Sequence, residues 1–181
     1  MTDLETRCLN SFPDWLRALG ADAADISKVL ASPTASLPVK KYAAAALNYL
    51  FKSLDLIPDG VEDLGYLDDA FVLRVAASLM VSESQDIRNE APTLTRLAAD
   101  KALIVELLGK DYSRLERYVR ELTRGAARGR TVDEIVEDEA VQHSFVNEVT
   151  AWAQAYTAPS FSRDEKNIIK LQSFLSAKLP T

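Results

Sequence analysis

The hydrophobic and polar positions of this chain are punctuated as helices throughout, and no segment shows the alternation of a strand. Phe12–Leu19 opens with Pro13 in a first turn and stops at Gly20. Asp22 caps a short helix through Leu30, which the Ser32-Pro33 step ends. A helix with Pro38 in its first turn runs to about Lys52, and its Ala43–Ala46 run permits close helix–helix approach. Asp68 and Asp69 begin a helix through about Ser82; apolar residues cover nearly every side of it, which predicts the central helix of the fold. Ala91-Pro92 breaks the chain, and a helix from about Thr93 to Leu108 ends at Gly109. Asp111 caps the next, through about Ala127. Thr131-Val132-Asp133-Glu134 and Ser162-Arg163-Asp164-Glu165 have the form of capping boxes, starting a long helix to about Tyr156 and a last one that finishes before Pro180. The expected fold is all-α, a single multi-helix bundle of about seven to eight helices. It forms one domain over residues 1–181, with 1–83 and 93–181 as candidate sub-bundles.

Composition fits that picture. With 181 residues, 48% hydrophobic and 27% charged, the chain can bury a core without staples. A net charge of −6 opposes bulk attraction to nucleic acid or anionic lipid. Cys8 is the only cysteine, which excludes an intramolecular disulfide and a cysteine-rich zinc site; near the terminus, it is expected to be an ordinary thiol. The opening MTDLETRCLNSF lacks the basic and apolar regions of a secretory signal. The longest apolar stretch, Ala70 to Val81, contains Arg74 and is well short of the ~20 residues that span a bilayer. The expected setting is the cytoplasm, with peripheral contact to a membrane surface left open.

Between the third and fourth expected helices the chain concentrates acid. Asp55, Asp59, Glu62, Asp63, Asp68 and Asp69 crowd together among Leu, Ile and Val, and no Lys or Arg falls between Ser53 and Leu73. Two chemistries explain such a segment. In the first, Asp55 accepts from amides two or three residues on, at a turn pinned by Pro58. Asp68 and Asp69 then face the positive end of their helix, worth ~0.3–1 kcal/mol each. In the second, Asp55 or Asp59 joins Asp68 or Asp69 around a hard divalent cation, Mg²⁺, Ca²⁺ or Mn²⁺. An EF-hand register from Asp55 places Gly60 correctly but puts Ile57 and Tyr66 where ligands belong, so that motif is rejected.

The run Leu54-Asp55-Leu56-Ile57-Pro58-Asp59, followed by Leu64-Gly65-Tyr66-Leu67-Asp68-Asp69, resembles the signature of the YkvA-like bacterial family, a domain of unknown function, over roughly Val39 to Ala77. The resemblance implies a helix–loop–helix core and a family in which many members carry extra apolar segments and are regarded as membrane-associated. Leu54 replaces the family's proline, and Gly60-Val61-Glu62-Asp63 replaces an apolar stretch, so the loop here is more polar.

Arg114, Arg117, Arg120, Arg124 and Arg128 follow spacings of three and four, which on one helix form a basic stripe. That stripe is either a solvated face paired with the acidic run after Thr131 or a docking surface for an anion. No helix-turn-helix, zinc-finger or basic-zipper pattern accompanies it, so sequence-specific nucleic-acid binding is not expected. His143 is the sole histidine, and no nucleophile elbow or glycine-rich phosphate loop is present. Together these features point to a non-enzymatic binding or scaffold protein with an unidentified protein partner or membrane surface and no resident cofactor. The alternative is a carboxylate-bound divalent-metal protein with candidate hydrolytic activity.

Overall fold

The computed structural model describes residues 1–52 and 55–181; Ser53 and Leu54, and with them the Leu54 substitution in the acidic segment, lie outside the described residues. The chain is all-α, 74% helical. Its helices are α1 (Asp3–Ala31), α2 (Leu37–Tyr49), α3 (Leu67–Glu83), the single turn α4 (Ile87–Glu90), α5 (Pro92–Leu108), α6 (Tyr112–Glu121), α7 (Val132–Glu137), α8 (Glu139–Ala155) and α9 (Glu165–Lys178).

Several boundaries differ from the sequence expectation, each for a local reason. The first two expected helices are one, α1, which runs through both Pro13 and Gly20. It starts further upstream, at a reciprocal box in which Thr2 Oγ1 accepts from the Glu5 amide and Glu5 accepts from the Thr2 amide. Gly20 is a crossing point rather than a stop. A Cβ there would stand 3.0 Å from the Ala153 carbonyl oxygen and 3.3 Å from the Tyr156 ring, so the glycine lets α8 lie close.

The helix expected to be capped by Asp111 has no side-chain cap, the Asp111 carboxylate pairing with Arg114 instead, and it ends at Glu121, not Ala127. A 3₁₀ turn, Leu122–Arg124, leads into a two-residue hairpin, β1 (Ala126–Ala127) against β2 (Arg130–Thr131), antiparallel. Arg128 and Gly129 between them both have positive φ, 50° and 77°, the backbone that tight hairpin turns demand. The helix expected from Thr131 to Tyr156 is split at Asp138, whose carboxylate accepts from the Ala140 and Val141 amides and so starts α8 anew. Asp164, not Ser162, caps α9. Ser162 instead donates its amide to Asp63 Oδ1 (3.0 Å), and its carbonyl accepts from the Asn167 side chain.

The expected central helix is observed. Every residue of α3 from Leu67 to Val81 except Ser78 is buried, and it packs against α1, α2, α5 and α6. Burial of each large apolar side chain contributes about 1.5–3 kcal/mol. A single hydrophobic core extends from Cys8 to Leu179. Cys8 is fully buried rather than available near the terminus, and burial pushes its thiol up to about 11. One cation sits in this core: Arg74 lies 4.1 Å from the Trp15 ring centre and donates to Asp100 (3.0 Å) and to the Ala70 carbonyl (3.2 Å). Burial holds its guanidinium down to about 10. Among the described residues no helix is long and apolar enough to cross a membrane.

Candidate functional site

The acidic segment connects α2 to α3, and its apolar residues fix its path. Leu56, Ile57 and Leu64 are buried in the core, while Pro58, Asp59 and Gly60 are exposed. Turn bonds from the Val61 amide to Pro58 O and from the Gly65 amide to Val61 O fold it back on itself. Tyr66 then enters α3 from a left-handed conformation, φ 69°.

Tyr49, the last residue of α2, organises the inner wall. Its phenol donates to Asp68 Oδ2 (2.5 Å) and accepts from the Leu56 amide (2.8 Å). The Ile57 amide also donates to Asp68 Oδ2 (3.2 Å). The amides just beyond Asp55, which an Asp55 turn cap would use, are thus committed to Tyr49 and Asp68. No side chain caps the start of α3. Among the described residues, three buried oxygens in the segment have no hydrogen-bond partner: Asp55 Oδ1, Asp68 Oδ1 and Asp69 Oδ2. Asp68 and Asp69 are 0% and 2% exposed.

Of the four carboxylates singled out in the sequence, the structure brings three together. One oxygen from each of Asp59, Asp68 and Asp69 lies within 4.8 Å of the others. A hard cation binds carboxylate oxygen at about 2.0–2.6 Å, so it bridges oxygens up to roughly 4–5 Å apart. Asp55 stands beside this trio, close enough for the Asp68 and Asp59 charges to act on it. Glu62 is exposed, and Asp63 is used in the tether to Ser162.

The electrostatics follow from burial, opposed at Asp55 by the Lys52 charge. Burial, helped by the Asp68 and Asp59 charges, pushes the Asp55 carboxyl up to about 7. Burial raises Asp68 to about 6 even though the Tyr49 and Ile57 hydrogen bonds pull the other way. Asp69, buried and next to Asp68, is held well above the usual carboxylate range, and burial also moves Asp59 upward. The Tyr49 phenol is pushed up by burial and by the Asp68 and Asp69 charges, so it stays a neutral donor.

These groups hold their protons more tightly in the folded protein than in the unfolded chain, where they leave near 3.8. Their contribution to stability is therefore fully present below about pH 4 and lost as pH rises through 6 and 7. In EDTA the melting temperature is expected to fall between pH 5 and pH 8. A melting temperature flat or rising over that interval contradicts this electrostatic account.

Sequence reasoning missed Tyr49, Lys52 and Tyr118. Lys52 Nζ meets the Tyr118 hydroxyl at 3.1 Å and lies 5.2 Å from that ring's centre, and the Tyr118 ring packs edge-on against Tyr49. Nothing in local spacing marks these residues, because they come from the end of α2, the turn after it and α6.

The five arginines do not form one stripe. Only Arg114, Arg117 and Arg120 lie on α6. Arg114 serves the end of α9, donating to the carbonyls of Ser176, Leu179 and Pro180, and pairs with Asp111. Arg120 approaches Glu116 and donates to the Tyr42 hydroxyl. Arg128, in the β1–β2 turn, pairs with Glu148 (2.7 Å). Arg117 and Arg124 are exposed and form no ion pair among the described residues. His143 is exposed on α8, beside Asn147.

A family model described as "Protein of unknown function (DUF1232)" matches residues 39–74, the segment that contains most of α2, the acidic loop and the first half of α3. No curated protein and no solved structure matches the chain.

Proposed function

We propose that this chain is a divalent-cation-binding protein, with Asp59, Asp68 and Asp69 as ligands and Asp55 as a fourth carboxylate beside them. The observation that carries the reading is a pair of oxygens, Asp68 Oδ1 and Asp69 Oδ2, unpartnered among the described residues, on buried side chains at a point where three carboxylates converge. Leaving a buried charged group unsatisfied costs about 1–3 kcal/mol or more. A cation offsets that cost at several oxygens together. All-oxygen ligation selects Mg²⁺, Ca²⁺ or Mn²⁺ over softer metals.

The helix–loop–helix carrying the site is, in this reading, a YkvA-like module, and the protein a cytoplasmic binding module rather than a hydrolase.

A thermal melt in EDTA, then with millimolar Mg²⁺, Ca²⁺ or Mn²⁺, tests the cation reading. At one hundred times the dissociation constant, a native-state site adds about 2.7 kcal/mol. For a domain of this size that is a rise of roughly 5–11 °C. A melting temperature indifferent to all three ions at pH 7.5 would refute it.

A further inference from the structure

Asp59 belongs to two features at once: it is a member of the carboxylate trio and it lines a cleft of about 710 Å³ between the α2–α3 loop and the β1–β2 turn. A cation held by the trio therefore shares one ligand residue, Asp59, with this cleft. The other charged residues lining the cleft are Lys52 and Arg128. Lys52 pairs with no carboxylate among the described residues, its hydrogen bond going to the Tyr118 hydroxyl. Arg128 lies 4.8 Å from the Phe51 ring centre and pairs with Glu148, but that carboxylate is shared with Arg130, at 2.7 Å and 2.6 Å. The single Glu148 charge is thus divided between Arg128 and Arg130.

From this placement, and resting on the cation reading above, we infer that the cleft binds a phosphate monoester group, one of whose oxygens completes the cation's ligand set while Lys52 and Arg128 hold the others.

Three arguments carry it. Three monodentate carboxylates supply three oxygens, whereas Mg²⁺ requires six and Ca²⁺ six to eight, so the site leaves positions for waters or for oxygens of a ligand in the cleft. Magnesium in particular is commonly held by one or two carboxylates together with phosphate oxygens. The charges decide the ligand class. Around a dication the ionised carboxylates alone leave a net negative site that repels an oxyanion, and Lys52 and Arg128 on the cleft side offset that charge. A phosphate monoester has enough oxygens to bridge the cation and two basic groups, and charge-assisted contacts to Arg and Lys are the strong ones. The group could belong to a soluble phosphate or to a lipid headgroup, and the test separates the two.

The full chain is loaded with substoichiometric Mn²⁺, so that the metal is protein-bound, and inorganic phosphate is added while ³¹P relaxation is followed. Expected is relaxation enhancement beyond that of Mn²⁺ with phosphate alone. Arg128→Asn, chosen because asparagine tolerates the φ of 50° at this turn, combined with Lys52→Gln is expected to weaken phosphate binding at least about tenfold while one Mn²⁺ per chain still binds. In parallel, Mn²⁺-dependent sedimentation with vesicles containing phosphatidic acid, without an effect of inorganic phosphate, assigns the phosphate to a lipid. Protein-bound Mn²⁺ with neither response overturns the phosphate inference and leaves the cation reading standing. Failure to bind Mn²⁺ at all overturns both.

Discussion

Asp69→Asn is expected to make the cation-free protein more stable, not less, and to abolish stabilisation by divalent cations. Asp69 is buried, its Oδ2 has no partner among the described residues, and Asp68 beside it carries the same charge. Removing the charge recovers about 1–3 kcal/mol of unsatisfied burial. It forfeits ~0.3–1 kcal/mol of favourable interaction with the α3 N-terminus, so the gain wins. The new amide has carboxylate acceptors nearby in Asp68 and Asp59. At pH 8 in EDTA the melting temperature should rise by roughly 2–8 °C. Added Mg²⁺, Ca²⁺ or Mn²⁺ should then produce no further rise. If the acids were only helix caps the sign would reverse, because losing a first-turn carboxylate would destabilise.

Gly65→Ala is expected to cost at or above the usual 1–3 kcal/mol for overpacking and to remove cation binding along with stability. A Cβ on Gly65 would collide with the carbonyl oxygen of Asp59 and stand 2.9 Å from its carbonyl carbon. Both are backbone atoms, so no rotamer change relieves the clash. The loop must move, and the residue displaced is Asp59, the trio's ligand on the cleft side. A melt in EDTA reads the stability loss, and the cation-dependent shift reads the ligand displacement. A Gly65→Ala protein with the parent's melting temperature and the parent's cation response would show that the loop does not pack this way.

The fold was legible in the sequence where punctuation was local. Pro38, Gly109 and the apolar surround of α3 all hold. The pattern failed where distant chain decided the outcome. Gly20 reads as a stop but serves the α1–α8 crossing, and Ser162 reads as a cap but binds Asp63 of the α2–α3 loop. The arginine spacing implies one helix, whereas positive φ at Arg128 and Gly129 turns the chain into a hairpin. For the candidate site, the dense acid and missing counterions were visible in the sequence, but two details were not. Which oxygens stay unpartnered depends on Tyr49 reaching Asp68 from the previous helix, and the basic wall depends on Arg128, contributed from much later in the chain.

The central claim is that Asp59, Asp68 and Asp69 form one divalent-cation site, and a direct count of bound metal tests it. Chelator-treated protein is dialysed to equilibrium against Mn²⁺ at pH 7.5, and the bound ion is measured for the parent chain and for Asp68→Asn and Asp69→Asn. The account predicts one Mn²⁺ per parent chain, displaceable by Mg²⁺ or Ca²⁺, and none in either variant. No bound ion in the parent, or one ion retained in both variants, would contradict it.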